Sequence, residues 1–171
     1  MRKQPNSSMC FVCGLKNIAG LKAFFYETDE GEVIARFVPQ EVHQGYPGRL
    51  HGGIAAAILD ETIGRALMIT YGDNVWGVTV ELNLRFRAPV PLYTELQAVA
   101  RITRDTKRIF EGEGELILPD GTVAVTAKGK YFKLRLEDIA QDVDLEAVEW
   151  RVVPDDPFTP PLVPFRRKPA K

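Results

Sequence analysis

The sequence predicts an α+β domain in which one long helix covers a face of an antiparallel sheet. Two observations predict it. A single stretch, Gly48 to Ile69 (GRLHGGIAAAILDETIGRALMI), has the length and composition of a helix, with a glycine-rich entrance. After it come four stretches with the two-residue alternation or β-branched and aromatic content of strands, joined by turn-length links.

Composition bounds the rest. At 171 residues the chain has room for one domain with a single sizeable core. Hydrophobic residues at 45% and charged residues at 26% place it among globular proteins. A net charge of −1 gives no reason to expect nucleic acid or an anionic membrane as partner. No apolar run reaches the ~18 to 20 residues of a membrane span. The start, MRKQPNSSMC, has no apolar stretch behind its basic residues, so no secretory signal is read and a cytoplasmic location is expected.

Residues 1–20 read as an N-terminal loop carrying one CxxC, Cys10 and Cys13 in CFVCG. Zinc requires four ligands and the only histidines are His43 and His51, so a metal site within one chain is not expected. Two reduced cysteines fixing a tight turn at Gly14 is the simpler reading; a zinc shared between subunits has no support. Leu21 to Thr28 and Gly31 to Pro39 read as strands around the turn Asp29-Glu30-Gly31. The glycine-rich loop EVHQGYPGRL leads into the helix, expected from about Gly53 to Tyr71 and ended by Gly72.

In GVTVELNLRFRAP, Val78, Val80, Leu82, Leu84 and Phe86 fall on one side, and Thr79, Glu81, Asn83, Arg85 and Arg87 on the other. TELQAVARITRDT and KRIFEGEGELILP continue around a polar turn, and Pro119-Asp120-Gly121 makes a hairpin into TVAVTAKGKYFKL. The sheet domain thus spans residues 21–134. Beyond it, residues 135–171, Leu136, Ile139, Ala140, Val143 and Ala147 recur at helical spacing, predicting an acidic helix from Leu136 to about Trp150. Six of the twelve prolines lie from Pro154 onward, so an extended, partly disordered end is expected, with Arg166-Arg167-Lys168 solvated.

The helix is apolar in most directions: Ile54, Ile58, Leu59, Ile63, Ala66, Leu67 and Ile69 surround it, as in a helix buried on more than one side. At its entrance His51-Gly52-Gly53 presents unobstructed backbone. Helix N-termini carry free N–H donors, and glycines there let a substrate oxygen reach them; the same glycines also suit a tight loop-to-helix turn. Asp60 lies too deep to cap the helix and has no evident local partner, whereas Glu61 has Arg65 four residues on and reads as the solvated member of the pair. A lone carboxylate in an apolar setting marks a candidate functional site.

His-Gly-Gly, an aspartate nine residues after the histidine, then a threonine-led strand ending in Arg-Phe-Arg-Ala-Pro-Val-Pro resembles the hotdog-fold acyl-CoA thioesterases of the PaaI-like group. The resemblance covers Cys10 to Leu134. HQGYPGRLHGGIAAAILDE is particularly similar to the branch that includes the human thioesterase superfamily members acting on long-chain acyl-CoA. It implies a hotdog fold, a sheet wrapped around one central helix, and hydrolysis of acyl-CoA to a carboxylic acid and CoA, with CoA entering only as part of the substrate. By resemblance Gly52 supplies an oxyanion-hole N–H, and His51 orients the thioester or supports that hole. Asp60 is the general base or nucleophile, and Thr79, whose side chain leaves the apolar face of its strand, positions the water. Where the family often has asparagine, six residues before the histidine, this chain has Gly45, with Gln44 as the neighbouring substitute; these and Gly53 are candidate substrate contacts. Lys107 and Arg108, in a strand-to-strand turn, suit the CoA phosphates and equally an ordinary solvated hairpin.

Nine residues at ~1.5 Å rise put His51 and Asp60 more than ~10 Å apart, so one chain cannot bring both to one thioester carbon. If both act, the second comes from another subunit, which predicts a homodimer, or a dimer of dimers as hotdog enzymes often are. Two other classes compete: a hotdog dehydratase or hydratase acting on 3-hydroxyacyl thioesters, and a non-enzymatic acyl-CoA-binding regulator. The first fits the HGG entrance poorly; the second has no use for a buried base.

Overall fold

The computed structural model describes residues 1–152 and 161–168. Seven strands form one antiparallel sheet: β1 (Arg2–Lys3), β2 (Phe24–Glu27), β3 (Val33–Phe37), β4 (Val75–Phe86), β5 (Leu96–Asp105), β6 (Ile109–Ile117) and β7 (Val123–Arg135). Their order is β1-β2-β3-β5-β6-β7-β4, which leaves β4 on an edge. Helix α1 (Gly52–Arg65) lies across the inner face and packs on β3, β4, β5, β6 and β7. This is the hotdog arrangement that the resemblance implied.

The core is the α1 face of Ala55, Ile58, Leu59 and Ile63 set against Phe37, Leu96, Phe110, Leu116 and Tyr131. The sheet reaches the helix because β6 carries glycine where the two cross. A Cβ at Gly112 would stand 2.6 Å from Ile63 Cγ2.

The helix is shorter than its apolar run predicts. α1 ends at Arg65; Ala66 and Leu67 keep right-handed helical angles but their amides bond three residues back, to Ile63 and Gly64, and α2 (Met68–Tyr71) follows. The chain tightens there toward 3₁₀ geometry, then leaves at Gly72 with φ +64.

Two further expectations are corrected. The N-terminal segment is not only a loop: β1 pairs with β2, and the buried Asn6 amide donates to the Cys13 and Ala23 carbonyls. The predicted acidic helix shrinks to α3 (Leu136–Ile139), followed by turns. Val143 and Ala147 find no core to cover, and propensity alone does not hold so short a helix.

The chain end differs most. The expected proline-rich extension over 153–160 and 169–171 lies outside the described residues, but 161–168 run along the outer face of the sheet. Leu162 is buried with Phe24, Tyr26, Ile34, Val99 and Ile117, and Phe165 packs beside them. The buried Gln97 side chain donates to the Val163 carbonyl at 2.9 Å and accepts from the Phe165 amide at 2.9 Å. Arg167 pairs with Glu32 and Glu115, and Lys168 with Asp120. Two of the three basic residues, Arg167 and Lys168, are thus held by acidic partners on the sheet and its turns rather than solvated as expected. Among the described residues no helix is long and apolar enough to cross a membrane.

Candidate active site

Asp60, on the third turn of α1, is half-buried and hydrogen-bonded. Its Oδ1 accepts from the Thr79 hydroxyl on β4 at 2.8 Å and from the Tyr131 phenol on β7 at 3.0 Å. Tyr131 also reaches the Asp60 carbonyl at 3.2 Å. Oδ2 has no hydrogen-bond partner among the described residues.

A bulge makes this possible. Thr79 pairs with Tyr131 across β4 and β7, but Glu81 pairs with Lys130, so Val80 is an extra residue in the ladder. The strand's parity flips there. Thr79 therefore shares the helix-facing side with Leu82 and Leu84, where unbroken alternation predicts the opposite side. Behind it, Tyr131 stacks on Phe110 at 4.8 Å between ring centres, which fixes where the phenol points. Burial, then the neighbouring Asp60 carboxylate, pushes the Tyr131 phenol well above its ordinary value, so it remains a protonated donor.

Tyr131 was missed by sequence reasoning. The only available signal was its place in the alternation Ala127, Gly129, Tyr131 of β7; the register that sets it opposite Thr79 is long-range.

The helix entrance lies elsewhere. His51 is the N-cap of α1, and its Nδ1 accepts from the Gly53 amide at 2.9 Å. Glycine leaves room for that approach: a Cβ at Gly53 would stand 3.1 Å from Nδ1, and the imidazole would have to give by a few tenths of an ångström. The Gly53 N–H, an expected substrate donor, is therefore engaged by the cap. Gly52 differs: its N–H makes no hydrogen bond among the described residues, and a Cβ there meets only the Phe86 ring at 3.5 Å, an ordinary contact.

Gly45 packs against His51, and Gln44 Oε1 accepts from the Gly48 amide at 2.8 Å within the entrance loop. Lys107 and Arg108 are exposed in the β5–β6 turn, without side-chain partners among the described residues. The structure thus brings Asp60 and Thr79 together and leaves His51, Gly52, Gly53, Gln44 and Gly45 at the helix start, about 13 Å away along α1.

Glu61 is not solvated as expected. Its Oε1 pairs with the buried Arg65 at 2.8 Å, and Arg65 lies over the Phe25 ring at 4.1 Å. Its Oε2 accepts from the Cys10 thiol at 3.1 Å. A cavity of about 210 Å³ is lined by both carboxylates, with Thr79, Tyr131, Trp76, Cys10 and Cys13 among its other walls.

Residues 47–125, which include α1 and β4, match the family model described as Thioesterase superfamily. Acyl-coenzyme A thioesterase 13 of Mus musculus is 30% identical over 102 residues, covering 60% of this chain and 71% of that protein. The chain belongs to the thioesterase superfamily. Within that superfamily it is also similar to acyl-coenzyme A thioesterase THEM4 of Bos taurus, 26% identical over 131 residues, 75% of this chain and 53% of that protein. The chain spans about half the length of several such curated relatives. Among solved structures, the BH2602 protein from Bacillus halodurans with CoA superposes with a TM-score of 0.60 at 28% identity, covering 67% of this chain and 76% of that one.

Proposed function

We propose that this thioesterase superfamily member hydrolyses acyl-CoA thioesters to a free carboxylic acid and CoA. The observation that carries the reading is the Asp60 carboxylate held at one oxygen by two hydroxyls and open at the other, on the wall of a cavity. Relatives named acyl-coenzyme A thioesterases, and a structural neighbour with CoA, support the substrate class.

In this reading water beside Thr79 loses a proton to Asp60 Oδ2 as its oxygen attacks the thioester carbonyl. The Gly52 N–H receives the developing oxyanion at the start of α1, where a well-placed donor is worth ~2.7 to 4 kcal/mol. Collapse of the tetrahedral intermediate breaks the C–S bond, and the proton on Asp60 passes to the CoA sulfur. His51 holds the entrance by capping it, and water suffices without a resident cofactor.

Asp60 and Gly52 of one chain stand too far apart to share a substrate, so the site is composite: Gly52 from one copy faces Asp60 from another. β4 supports this. It is a 12-residue edge strand with Val78, Val80 and Phe86 exposed, and so long an apolar edge favours pairing with a second copy. Release of free thiol from a panel of acyl-CoAs tests the reaction. Turnover of at least one acyl class above the uncatalysed rate is expected; binding of acyl-CoA without thiol release by any of them refutes it.

A further inference from the structure

Cys10, Cys13 and Glu61 form a second cluster of reactive groups, lining the same cavity as Asp60. Their donor atoms, two Sγ and one carboxylate oxygen, all lie within 4.8 Å of one another. They come from two parts of the chain, the N-terminal turn and α1, so the turn is folded back onto the helix at this point. Counting cysteine and histidine alone leaves this site two ligands short. Folding brings the carboxylate as a third.

Four features suit the cluster to a metal. The Val12 and Cys13 amides point at Cys10 Sγ, at 3.3 and 3.5 Å, and such N–H donors stabilise a thiolate. Ligand atoms around tetrahedral zinc stand about 3.5 to 3.8 Å apart, given Zn–S near 2.3 Å and Zn–O near 2.1 Å. Cys10 Sγ and Glu61 Oε2, now 3.1 Å apart, need separate by only a few tenths of an ångström. Glu61 is oriented through its other oxygen by buried Arg65, as ligating carboxylates are by outer partners. Charge closes as well. Two thiolates and a carboxylate against one buried guanidinium leave two negative charges, which a divalent ion neutralises.

We propose that Cys10, Cys13 and Glu61 bind one zinc ion, with water from the adjoining cavity as the fourth ligand, and that this ion pins the N-terminal turn to α1. The ion ties two distant stretches of chain together, and the test does not depend on turnover.

The full chain, expressed with zinc and kept reduced, should retain about one zinc per chain through gel filtration. Exchange into cobalt should give a thiolate-to-metal charge-transfer band and the visible bands of a tetrahedral ion. Cys10→Ser and Cys13→Ser should each abolish both signals, and Glu61→Gln should weaken affinity by at least ~10-fold. Should a serine variant fail to fold, titrating the two thiols of the unaltered protein with an organomercurial should release the zinc in step. Absence of zinc and of a cobalt spectrum in reduced, folded protein overturns the proposal. So does zinc that persists in folded Cys10→Ser, or a mercurial titration that releases none.

Discussion

The Thr79 hydroxyl donates to Asp60 across 2.8 Å only because Val80 is an extra residue in its strand. A hydroxyl on the regular pleat would face the outer side of the sheet, and the carboxylate would lose one of its two donors. The threonine's part in the hydrogen bonding at this site is therefore set by one irregularity in one edge strand.

Asp60→Asn keeps an oxygen for Thr79 and Tyr131 but removes the proposed base. It should fold normally and turn over acyl-CoA about 10²-fold more slowly or worse. Near-unaltered turnover in a variant with unchanged circular dichroism and thermal midpoint would exclude Asp60 as the base.

Thr79→Ala should lower turnover by a smaller factor, since one hydrogen bond to a water or to the carboxylate contributes about 0.5 to 1.5 kcal/mol. A loss as large as that of Asp60→Asn would assign Thr79 a larger part than positioning.

Tyr131 yields a prediction in pH. Burial and the facing carboxylate raise its phenol above the ordinary value, so the folded chain keeps a proton that the unfolded chain releases near pH ~10. Its contribution to stability is complete below about pH 10 and declines as pH rises beyond it. Denaturant unfolding of the unaltered protein and of Tyr131→Phe should thus show a stability difference that shrinks between about pH 9 and pH 11. A difference constant over that interval would mean that the phenol is not raised.

Composite sites can be read by mixing lesions. Gly52→Val is built to block the helix entrance, and Asp60→Asn to remove the proposed base; each alone should be nearly inactive. In a mixed dimer one site keeps both intact groups and the other has neither. With random exchange about half the dimers are mixed, so activity should recover to roughly a quarter of the unaltered level. No recovery, with exchange proved by mass spectrometry, would place both groups of each site in one chain.

Removing residues 161–171 uncovers the patch around Phe24, Tyr26, Ile34, Val99 and Ile117 and leaves the Gln97 amide without its two backbone partners. The truncated chain should unfold at a clearly lower denaturant midpoint, and Leu162→Ala alone should cost about 1 to 3 kcal/mol. An unchanged midpoint would mean that the segment adds nothing by docking.

The outline of the fold was legible because its signals are local. Period-two strands, the Asp120-Gly121 turn and the apolar run of α1 each sit within a dozen or so residues. What escaped was non-local. Glu61 read as solvated because Arg65 is its near neighbour in sequence, while Cys10, fifty-one positions away, is its other partner. Asp60 read as lacking a partner because Tyr131 lies seventy-one positions on. The tail read as solvated because prolines and charges argue so, and only the outer side chains of β2, β3, β5 and β6 together make the surface it covers.

The docked segment also bears on how the molecule is made. On the ribosome, 161–168 emerge after every strand they cover, so the outer apolar patch meets water throughout synthesis of the sheet. Its closure is a late step joining distant parts of the chain, and such contacts form slowly. Until then the nascent protein presents a sticky surface of the kind chaperones recognise, and completion of the C-terminal strap is what removes it.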